Sequence, residues 1–474
     1  MKASTEMASV GREQPPDAAG LISIDALGPD GTYRTRNREP VTTTAGVAVA
    51  EVSIVPPLYV SRAISAQRNA RPLPVQEREA ALAKAADAFA TGVIAGLDFD
   101  TYAVLASRIS GVPIAVTRSG ARSVADGVAS AFGAVRPARP TGAVQDWRDE
   151  LTREGGAVWA RRGDVFAVLA SGNGPGVHGL WPQALALGYR VAVRPSRREP
   201  LTAHRLVHAL RQAGFRPHDA VYLPTDHRGA DEMIRSADLA MVYGSQGIVD
   251  KYANDPAVFV NGPGRAKILI TAEHDWRDYL DVITDSIANL GGVACVNATA
   301  VLYEGDPAPL ADAIAERLST IAVLPSEDER AILPTQKIDE ATALASYLAT
   351  VAVGTSPLLG ADQVVAPLSD SSAALRPAVH LMAKPDVAKL NVELPFPCVW
   401  VSPWSRADGL EPLRHSLVIS AITSDADLVD DLLAEPTIAN VYCGHHPTHY
   451  AAPEIPHDGF LADFLMRNKG FIRD

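Results

Sequence analysis

Val165-Phe-Ala-Val-Leu-Ala-Ser-Gly-Asn-Gly-Pro-Gly176 is a short apolar run followed by a glycine-rich loop, and it begins a new pattern in the chain. Apolar runs typical of strands recur at 190–193, 220–223 and 239–243, and segments with helical periodicity separate them. This alternation predicts a parallel sheet with a ligand site at the carboxyl ends of its strands. The G-x-G-x-x-G fingerprint of ordinary dinucleotide-binding folds is absent from the sequence.

The composition limits the class of protein. A length of 474 residues predicts two or three domains, and the net charge of -12 argues against nucleic acid or an anionic membrane as the main partner. Three cysteines, Cys295, Cys398 and Cys443, are too few for a disulfide framework and lack the spacing of metal ligands. The first twenty residues lack the apolar stretch of a signal peptide, and no 18-residue apolar run occurs. We therefore predict a cytoplasmic protein without a metal.

The stretch Asn289-Leu-Gly-Gly-Val-Ala-Cys-Val-Asn-Ala298 is the best candidate for a reactive site. It follows an amphipathic segment at 275–288 that predicts a helix, and Gly291 and Gly292 favour a tight turn in front of Cys295. Small neighbours leave room for a carbonyl to approach the thiol, as a nucleophile requires. Buried free cysteines are common packing residues, so these residues alone leave both interpretations open.

Several motifs occur in the order found in a known family. Val191-Ala-Val-Arg-Pro-Ser-Arg-Arg-Glu-Pro-Leu-Thr-Ala203 resembles the V-V-L-K-P-S-E-x-T-P-L-T-A segment of aldehyde dehydrogenases. Gly172-Asn-Gly-Pro175 falls at the place of the W-N-F-P turn, Val242-Tyr-Gly-Ser245 resembles F-T-G-S, and Gly292-Val-Ala-Cys-Val-Asn-Ala298 resembles G-Q-x-C-x-x-A. From about Ala45 to its end the chain resembles the aldehyde dehydrogenase superfamily.

The resemblance implies an α/β fold with two parallel-sheet domains, one for the cofactor and one for catalysis, and a small oligomerisation hairpin. It also implies a homodimer or homotetramer. The implied segments are a disordered tail at 1–20, a cofactor-binding domain at 21–142 and 163–262, an oligomerisation element at 143–162 (with the hairpin at 149–162) and 465–474, a catalytic domain at 263–440, and a substrate-lining C-terminal segment at 441–464.

The family's chemistry gives roles to two residues. A thiolate at Cys295 attacks a carbonyl carbon, and the resulting oxyanion is held by the Asn173 side-chain amide and the backbone N–H of Cys295. Without the resemblance, Asn173 would be interpreted as a loop asparagine that satisfies its own turn.

The resemblance also implies a nicotinamide cofactor. Its pyrophosphate is expected near the helix that opens at Gly244-Ser245, and Glu393 is similar to the glutamate that holds the nicotinamide ribose, with its local spacing off by one residue. Arg194 replaces the family lysine that reaches the adenosine ribose. Arg197 stands where NAD-preferring members carry glutamate, so Arg197 with Ser196 favours NADPH over NADH. The alternative is that Arg197 is a solvated loop charge.

One departure from the family bears on the reaction. Hydrolytic members carry a glutamate 34 residues before the cysteine, and here that position is Asn261. An amide cannot accept a proton from water at neutral pH, so the usual deacylating base is absent. We therefore predict NADPH-dependent reduction of an activated carboxylate to an aldehyde through a Cys295 thioester. The acyl group would arrive on coenzyme A, on an acyl carrier protein or as an adenylate from an adenylating enzyme.

Two other functions stay open at this point. One is oxidation of an aldehyde to an acid with a relocated base, for which His178, His445, His446 and His449 are candidates. The other is a catalytically silent binding subunit. The expected substrate-lining residues are His178, Trp181, Tyr442, His445 and His446. Trp181, Tyr442 and Tyr450 suggest that the acyl group is aromatic or apolar.

Overall fold

Two seven-stranded sheets form the framework of the protein, and three smaller sheets are attached to them. The computed structural model describes residues 20–452 and 454–474, so the tail predicted to be disordered at 1–20 lies almost entirely outside the described residues. Within the described ranges, no helix combines the length and the apolar character needed to cross a lipid bilayer.

The first part of the chain forms short strands and then helices. Helices at 58–69 and 75–90 are confirmed, whereas the predicted helical region 98–132 is divided, because Gly111 ends one helix with a φ of 75° and Pro113 precedes the next. The elements are β1 (Ile22–Ile24), β2 (Ala26–Gly28), β3 (Gly31–Tyr33), β4 (Arg38–Thr42), β5 (Ala48–Ser53), α1 (Pro57–Asn69), α2 (Val75–Thr91), α3 (Phe99–Ser110), α4 (Ile114–Ala129) and α5 (Ala131–Ala134).

The predicted alternation of strands and helices forms the first large sheet. Its strand order is β11-β10-β7-β8-β9-β2-β3, and all neighbours are parallel except that β2 runs antiparallel to β9 and β3. Strands of a parallel sheet are buried on both faces, which explains the continuous apolar run of β7. The new elements are β6 (Gly156–Arg161), β7 (Val165–Leu169), α6 (Pro182–Ala186), β8 (Arg190–Arg194), α7 (Leu201–Gln212), β9 (Ala220–Tyr222), α8 (His227–Ser236), β10 (Leu239–Tyr243), α9 (Gln246–Tyr252) and β11 (Val258–Asn261).

The second large sheet has the order β15-β18-β19-β13-β12-β20-β21 and is parallel except for the edge pair β15 and β18. Cys295 lies in the loop that leads into the central strand β13. The elements are β12 (Ala266–Ile270), α10 (Leu280–Ala288), β13 (Ala298–Tyr303), α11 (Ala308–Ser319), β14 (Thr335–Lys337), α12 (Ile338–Val351), β15 (Ser356–Leu359), β16 (Val365–Pro367), β17 (Ser372–Leu375), β18 (Ala378–Leu381), α13 (Val387–Leu390), β19 (Cys398–Pro403), β20 (Ser416–Ile422), α14 (Ala426–Ala434) and β21 (Ile438–Cys443).

The chain ends in α15 (Leu461–Leu465) and β22 (Met466–Phe471). Strand β22 pairs antiparallel with β6, and Met466 lies opposite Arg161. The prediction of a hairpin within 149–162 is therefore wrong, because β6 pairs with the C-terminal strand β22. Local sequence does not predict a partner so distant in the chain. Both strands belong to the segments assigned to oligomerisation, and that role stays a prediction.

Candidate active site

The loop that carries Cys295 has an unusual backbone. Leu290, Gly291 and Gly292 have positive φ angles of 55°, 74° and 65°. A Cβ atom on Gly292 would lie 2.4 Å from the backbone nitrogen of Pro397, so that position requires glycine. The tight turn predicted in front of the thiol is present.

Asn297 holds this loop in place from the inside. Its Oδ1 accepts a hydrogen bond from the N–H of Ala294 at 2.9 Å, and its Nδ2 donates to the carbonyls of Asn289 at 2.7 Å and Ser286 at 3.1 Å. The side chain is buried, so these bonds are shielded from water. Asn297 therefore fixes the loop on both sides of the turn, a role that the sequence analysis did not assign.

Gly264 allows a second close approach to the same loop. A Cβ atom there would lie 1.6 Å from the carbonyl oxygen of Cys295, a distance that no side chain can tolerate. The Gly264 carbonyl also accepts a hydrogen bond from the N–H of Leu417 at 2.7 Å. The loop between β11 and β12, which follows Asn261, is therefore in contact with the cysteine loop.

A histidine outside the predicted set contacts the sulfur. His457 Nε2 lies 3.3 Å from Cys295 Sγ, and His457 Nδ1 lies 2.8 Å from Asp458 Oδ2. The Nδ2 of Asn440, on β21, donates to the carbonyl of His457 at 2.7 Å and fixes the backbone of this segment. Cysteine, histidine and aspartate are thus arranged in series, as in enzymes that activate a nucleophile through a base and an orienting carboxylate.

The charges around His457 favour its protonated form. Burial by itself lowers the pKa of a histidine, but the charge of Cys295 and the carboxylate of Asp458 outweigh burial and raise the pKa of His457 well above its ordinary value. Tyr243 also lies within electrostatic reach, because its pKa is raised by burial and further by the charges of Cys295 and Asp458. The imidazole of His457 therefore lies between the sulfur and a carboxylate.

The three cysteines have different surroundings. Cys398 is buried in the core, and burial raises its pKa to about 12, which keeps it a neutral thiol. Cys443 is exposed at the end of β21. Cys295 is half-buried and contacts an imidazole, so it alone of the three has the surroundings of a nucleophile.

The structure brings Asn173 next to the cysteine loop. Its Nδ2 donates to the carbonyl of Val293 at 3.2 Å, and its Oδ1 accepts from the hydroxyl of Ser171 at 2.6 Å. An amide group has two N–H donors, so one of them is free for an oxyanion. Asn173 and Val293 line a cavity of about 210 Å³, and Glu393 lines the same cavity.

Asn261, at the position of the family base, is the last residue of β11. The parallel register places it beside Tyr243, at the end of β10. The side chain is buried, and neither Oδ1 nor Nδ2 has a hydrogen-bond partner among the described residues. Unpaired buried amides are unusual, so this amide is available to hydrogen-bond a water molecule or a bound group.

The residues predicted to bind the adenosine end of a cofactor lie together, but carboxylates accompany them. Arg194, at the end of β8, donates from Nε to the carbonyl of Thr225 at 3.1 Å. Arg197 forms an ion pair with Glu39 at 3.1 Å. The Oγ of Ser196 accepts a hydrogen bond from the backbone N–H of Arg198 at 3.1 Å. No local pattern predicts the ion pair with Glu39, because Glu39 lies on β4, in a different sheet from β8.

Gly244, Ser245 and Glu393 also have defined places. A Cβ on Gly244 would lie 2.6 Å from Ile248 Cβ, and helix α9 begins after Ser245. Glu393 Oε2 accepts the N–H of Arg265 at 2.8 Å, and burial raises the pKa of Glu393. The side chain lines the same cavity as Asn173, even though the family spacing is off by one residue.

None of the predicted base candidates is His457, the histidine that contacts the sulfur. His178 accepts a hydrogen bond from Trp181 Nε1 at 3.2 Å, neither side chain is exposed, and burial lowers the pKa of His178 to about 3. His449 lies 3.3 Å from Asp285 Oδ2. The structure thus gives His178 and Trp181 a packing role, and their contact with substrate stays a prediction.

The remaining predicted substrate residues are divided between two places. Tyr442 packs against a small buried cluster of Ala266, Leu417 and Val418, which Cys295 and Val296 also contact. His445 is exposed and stacks on Tyr279 with ring centroids 4.2 Å apart, and His446 is exposed as well. Of these three residues, only Tyr442 packs against the cluster that Cys295 also contacts.

Comparison with known proteins agrees with this arrangement. The model of the aldehyde dehydrogenase family matches residues 32–460. No curated protein matches the chain.

Solved structures show the same fold at low sequence identity. They include an NAD-dependent aldehyde dehydrogenase from Sinorhizobium meliloti (17% identity, 95% of this chain and 94% of that one, TM-score 0.79). The aldehyde dehydrogenase KauB from Pseudomonas aeruginosa is similar at 16% identity, over 95% and 96% of the two chains, with a TM-score of 0.80. An indole-3-acetaldehyde dehydrogenase complexed with NAD+ is similar at 16% identity, over 95% and 97%, with a TM-score of 0.80. With its sequence matched over residues 32–460, the chain belongs to the aldehyde dehydrogenase family.

Proposed function

We propose that this protein is a nicotinamide-dependent acyl reductase that accepts an activated acyl group on Cys295 and releases it as an aldehyde. The observation that carries the proposal is the amide of Asn261 at the position where hydrolytic members hold their deacylating glutamate. The side chain is buried and cannot act as a base, so nothing at that position activates water against a thioester. A thioester protected from hydrolysis lasts long enough to be reduced.

The site has features that suit a nicotinamide cofactor, and a solved relative is complexed with NAD+. Glu393 keeps one carboxylate oxygen free of the Arg265 bond, which suits ribose hydroxyls at the cavity that it shares with Asn173. When bound, the cofactor supplies the hydride. The protein's own task is to hold the acyl group on Cys295 and to keep water away from it.

The arginines near the end of β8 favour NADPH over NADH. Arg197 and Ser196 could bind a 2′-phosphate, which a glutamate at position 197 would repel. Glu39 competes for Arg197 through an ion pair in which the side chains are 52% and 37% exposed. Exposed pairs contribute little free energy, so a phosphate dianion is expected to displace this carboxylate.

Two substitutions test this preference in opposite directions. Arg197→Glu should lower the ratio of kcat/KM for NADPH over NADH by roughly ten- to a hundredfold, because it replaces a charge-assisted hydrogen bond with a repulsion. Glu39→Gln should raise the same ratio, because it removes the competing carboxylate. Steady-state kinetics with both cofactors measure the ratio, and an unchanged ratio in both variants would show that Arg197 is remote from the ribose.

Asn261→Glu should convert part of the reductive activity into hydrolysis. A carboxylate at this buried position will have a raised pKa, which suits a general base at neutral pH. We expect acid release from the acyl-enzyme to increase at least about tenfold, within the range typical of general base catalysis. Mass spectrometry of the acylated protein over time measures the release. Asn261→Gln is the matched control, and an equal increase there would assign the effect to a disturbed fold.

The direct test compares the two directions of reaction. Purified protein is given NADPH with acetyl-, octanoyl- or benzoyl-coenzyme A or with the corresponding acyl adenylates, and aldehyde formation is followed. A parallel assay supplies the aldehydes with NADP+ or NAD+ and no coenzyme A. Aldehyde formation in the first assay supports the proposal. Sustained acid production in the second assay, together with no turnover in the first, would overturn it.

The second candidate is oxidation of an aldehyde to an acid, and the contact of His457 with Cys295 favours it. Once the sulfur is acylated, it no longer carries the negative charge that raises the pKa of His457. A neutral imidazole oriented by Asp458 could then take a proton from water. We rank this function second, because the imidazole contacts the sulfur itself, where it serves the departure and return of the thiolate in either direction.

A further inference from the structure

A continuous set of contacts joins the nucleophile to a carboxylate. Cys295 Sγ lies 3.3 Å from His457 Nε2, and His457 Nδ1 lies 2.8 Å from Asp458 Oδ2. Because a carboxylate only accepts hydrogen bonds, Nδ1 carries a proton towards Asp458, and Nε2 is the atom that exchanges a proton with the sulfur. Both ring nitrogens are therefore engaged, and the ring cannot turn without losing a contact.

We propose that Cys295, His457 and Asp458 form a proton-transfer triad in which the resting proton lies on His457 and is passed to the leaving group when the acyl group arrives. The inference rests on the proposed thioester chemistry and adds to it the group that manages the proton. His457 is then a catalytic residue, because it touches the reacting sulfur, and Asp458 is a positioning residue that acts through it.

The surroundings of the ring support a charged pair. Asp458 faces one edge and Cys295 the other, and Tyr243 is the further titratable group within electrostatic reach of both. Tyr243 donates its hydroxyl proton to the carbonyl of Val177 at 3.2 Å and stays neutral, since burial raises its pKa. The backbone at His457 is held by the amide of Asn440. The contacts of the ring thus include one carboxylate, that of Asp458, besides the sulfur of Cys295.

The acylation step balances with these groups alone. The Cys295 thiolate forms a bond to the acyl carbon of a thioester, and the bond from that carbon to the departing sulfur breaks. The departing thiolate takes the proton of His457 and leaves as a thiol, and the ring becomes neutral. No oxidant or reductant enters this step. When the Cys295 thiolate is released again, one proton from solvent restores the imidazolium.

The ion pair should appear in the pH dependence of alkylation by iodoacetamide. A free thiol with a pKa of about 8.5 is less than about 1% thiolate at pH 6, whereas the proposed triad holds the resting proton on His457. Part of this gain in alkylation rate is offset, because the thiolate of a more acidic thiol is a weaker nucleophile. We expect Cys295 in the wild type to alkylate roughly tenfold faster than in His457→Asn at about pH 6, and the rates to converge above about pH 9.

The experiment follows Cys295 by mass spectrometry in the full-length protein without added cofactor. His227→Asn is the matched control, since His227 is exposed at the start of α8, on a different element from the cysteine loop. Asp458→Asn should shift the wild-type profile part of the way towards that of His457→Asn. If His457→Asn fails to fold, as judged by circular dichroism, His457→Gln and Asp458→Asn provide the same comparison.

Identical profiles for the wild type and the folded His457 variant would overturn the triad. This outcome is distinct from failure of the proposed function. If the profiles differ as expected but no acyl-coenzyme A or acyl adenylate is reduced, then the triad stands and the acyl reductase proposal fails. If reduction occurs but the profiles coincide, then the acyl reductase proposal stands and the triad fails.

Discussion

Cys295→Ala is expected to abolish turnover, with a loss of at least about a thousandfold, because no other side chain can form the covalent acyl intermediate. Formation of aldehyde from acyl-coenzyme A and oxidation of aldehyde should both disappear, since both directions pass through the same thioester. Cofactor binding, measured by fluorescence titration, should be retained, because the residues assigned to the cofactor lie on other segments. The measurement is the rate of NADPH loss in the presence of acyl donor.

Cys443→Ala is the matched control, because Cys443 is exposed and its removal leaves Cys295 and its contacts intact. Cys398 is less suitable, since it is buried in the core and its truncation would leave a cavity. Surviving activity in Cys295→Ala would exclude covalent catalysis. It would also remove the basis for the acyl reductase proposal and for the triad.

Much of the fold could be predicted because its signals are local. The apolar run of β7 and the alternation that follows it indicate a parallel sheet without any tertiary information. The pair Gly291 and Gly292 indicates a turn before the cysteine, and both glycines have the positive φ that such a turn requires. The pairing of β6 with β22 joins segments about three hundred residues apart, and no local pattern specifies it.

The candidate site shows the same division between local and distant information. Cys295, Asn173 and Asn261 lie in or beside short motifs with a fixed order, so a resemblance was sufficient to find them. His457 is 162 residues from Cys295 and has no motif of its own. Its one local signal is the adjacent Asp458, since a histidine followed by a carboxylate is a common oriented base. His178, His445 and His446 contact aromatic rings and His449 contacts Asp285, so none of these four predicted candidates is the histidine at the sulfur.

The contacts of His457 also change what the loss of the family glutamate means. A site without any base would leave the thiol protonated and slow to react, whereas here an imidazole lies on the sulfur. In the proposed mechanism, the base contacts the nucleophile and no longer occupies the position of the family glutamate. This arrangement assists formation and release of the thioester, and it removes the carboxylate that would direct water at it.

The geometry of Asn173 leads to the second large effect. Attack on the acyl carbon converts its carbonyl oxygen into an oxyanion, which needs donors that are already in place. Asn173 has one N–H on the Val293 carbonyl and one that is free. Among the described residues, the backbone N–H of Cys295 also donates to no acceptor. One donor belongs to the cysteine loop and the other contacts it, so the proposed mechanism assigns both to the oxyanion.

Asn173→Ala should lower kcat by roughly a hundred- to a thousandfold, the usual consequence of removing one oxyanion donor. KM for the acyl donor should change much less, because the donor bonds the oxyanion more strongly than the ground-state carbonyl. Stopped-flow measurement of acylation isolates the step, and Asn69→Ala, at the exposed end of α1, is the matched control. Iodoacetamide should alkylate Cys295 at the wild-type rate in Asn173→Ala, because alkylation forms no oxyanion. A parallel loss in alkylation would show instead that Asn173 only supports the cysteine loop through its bond to Val293.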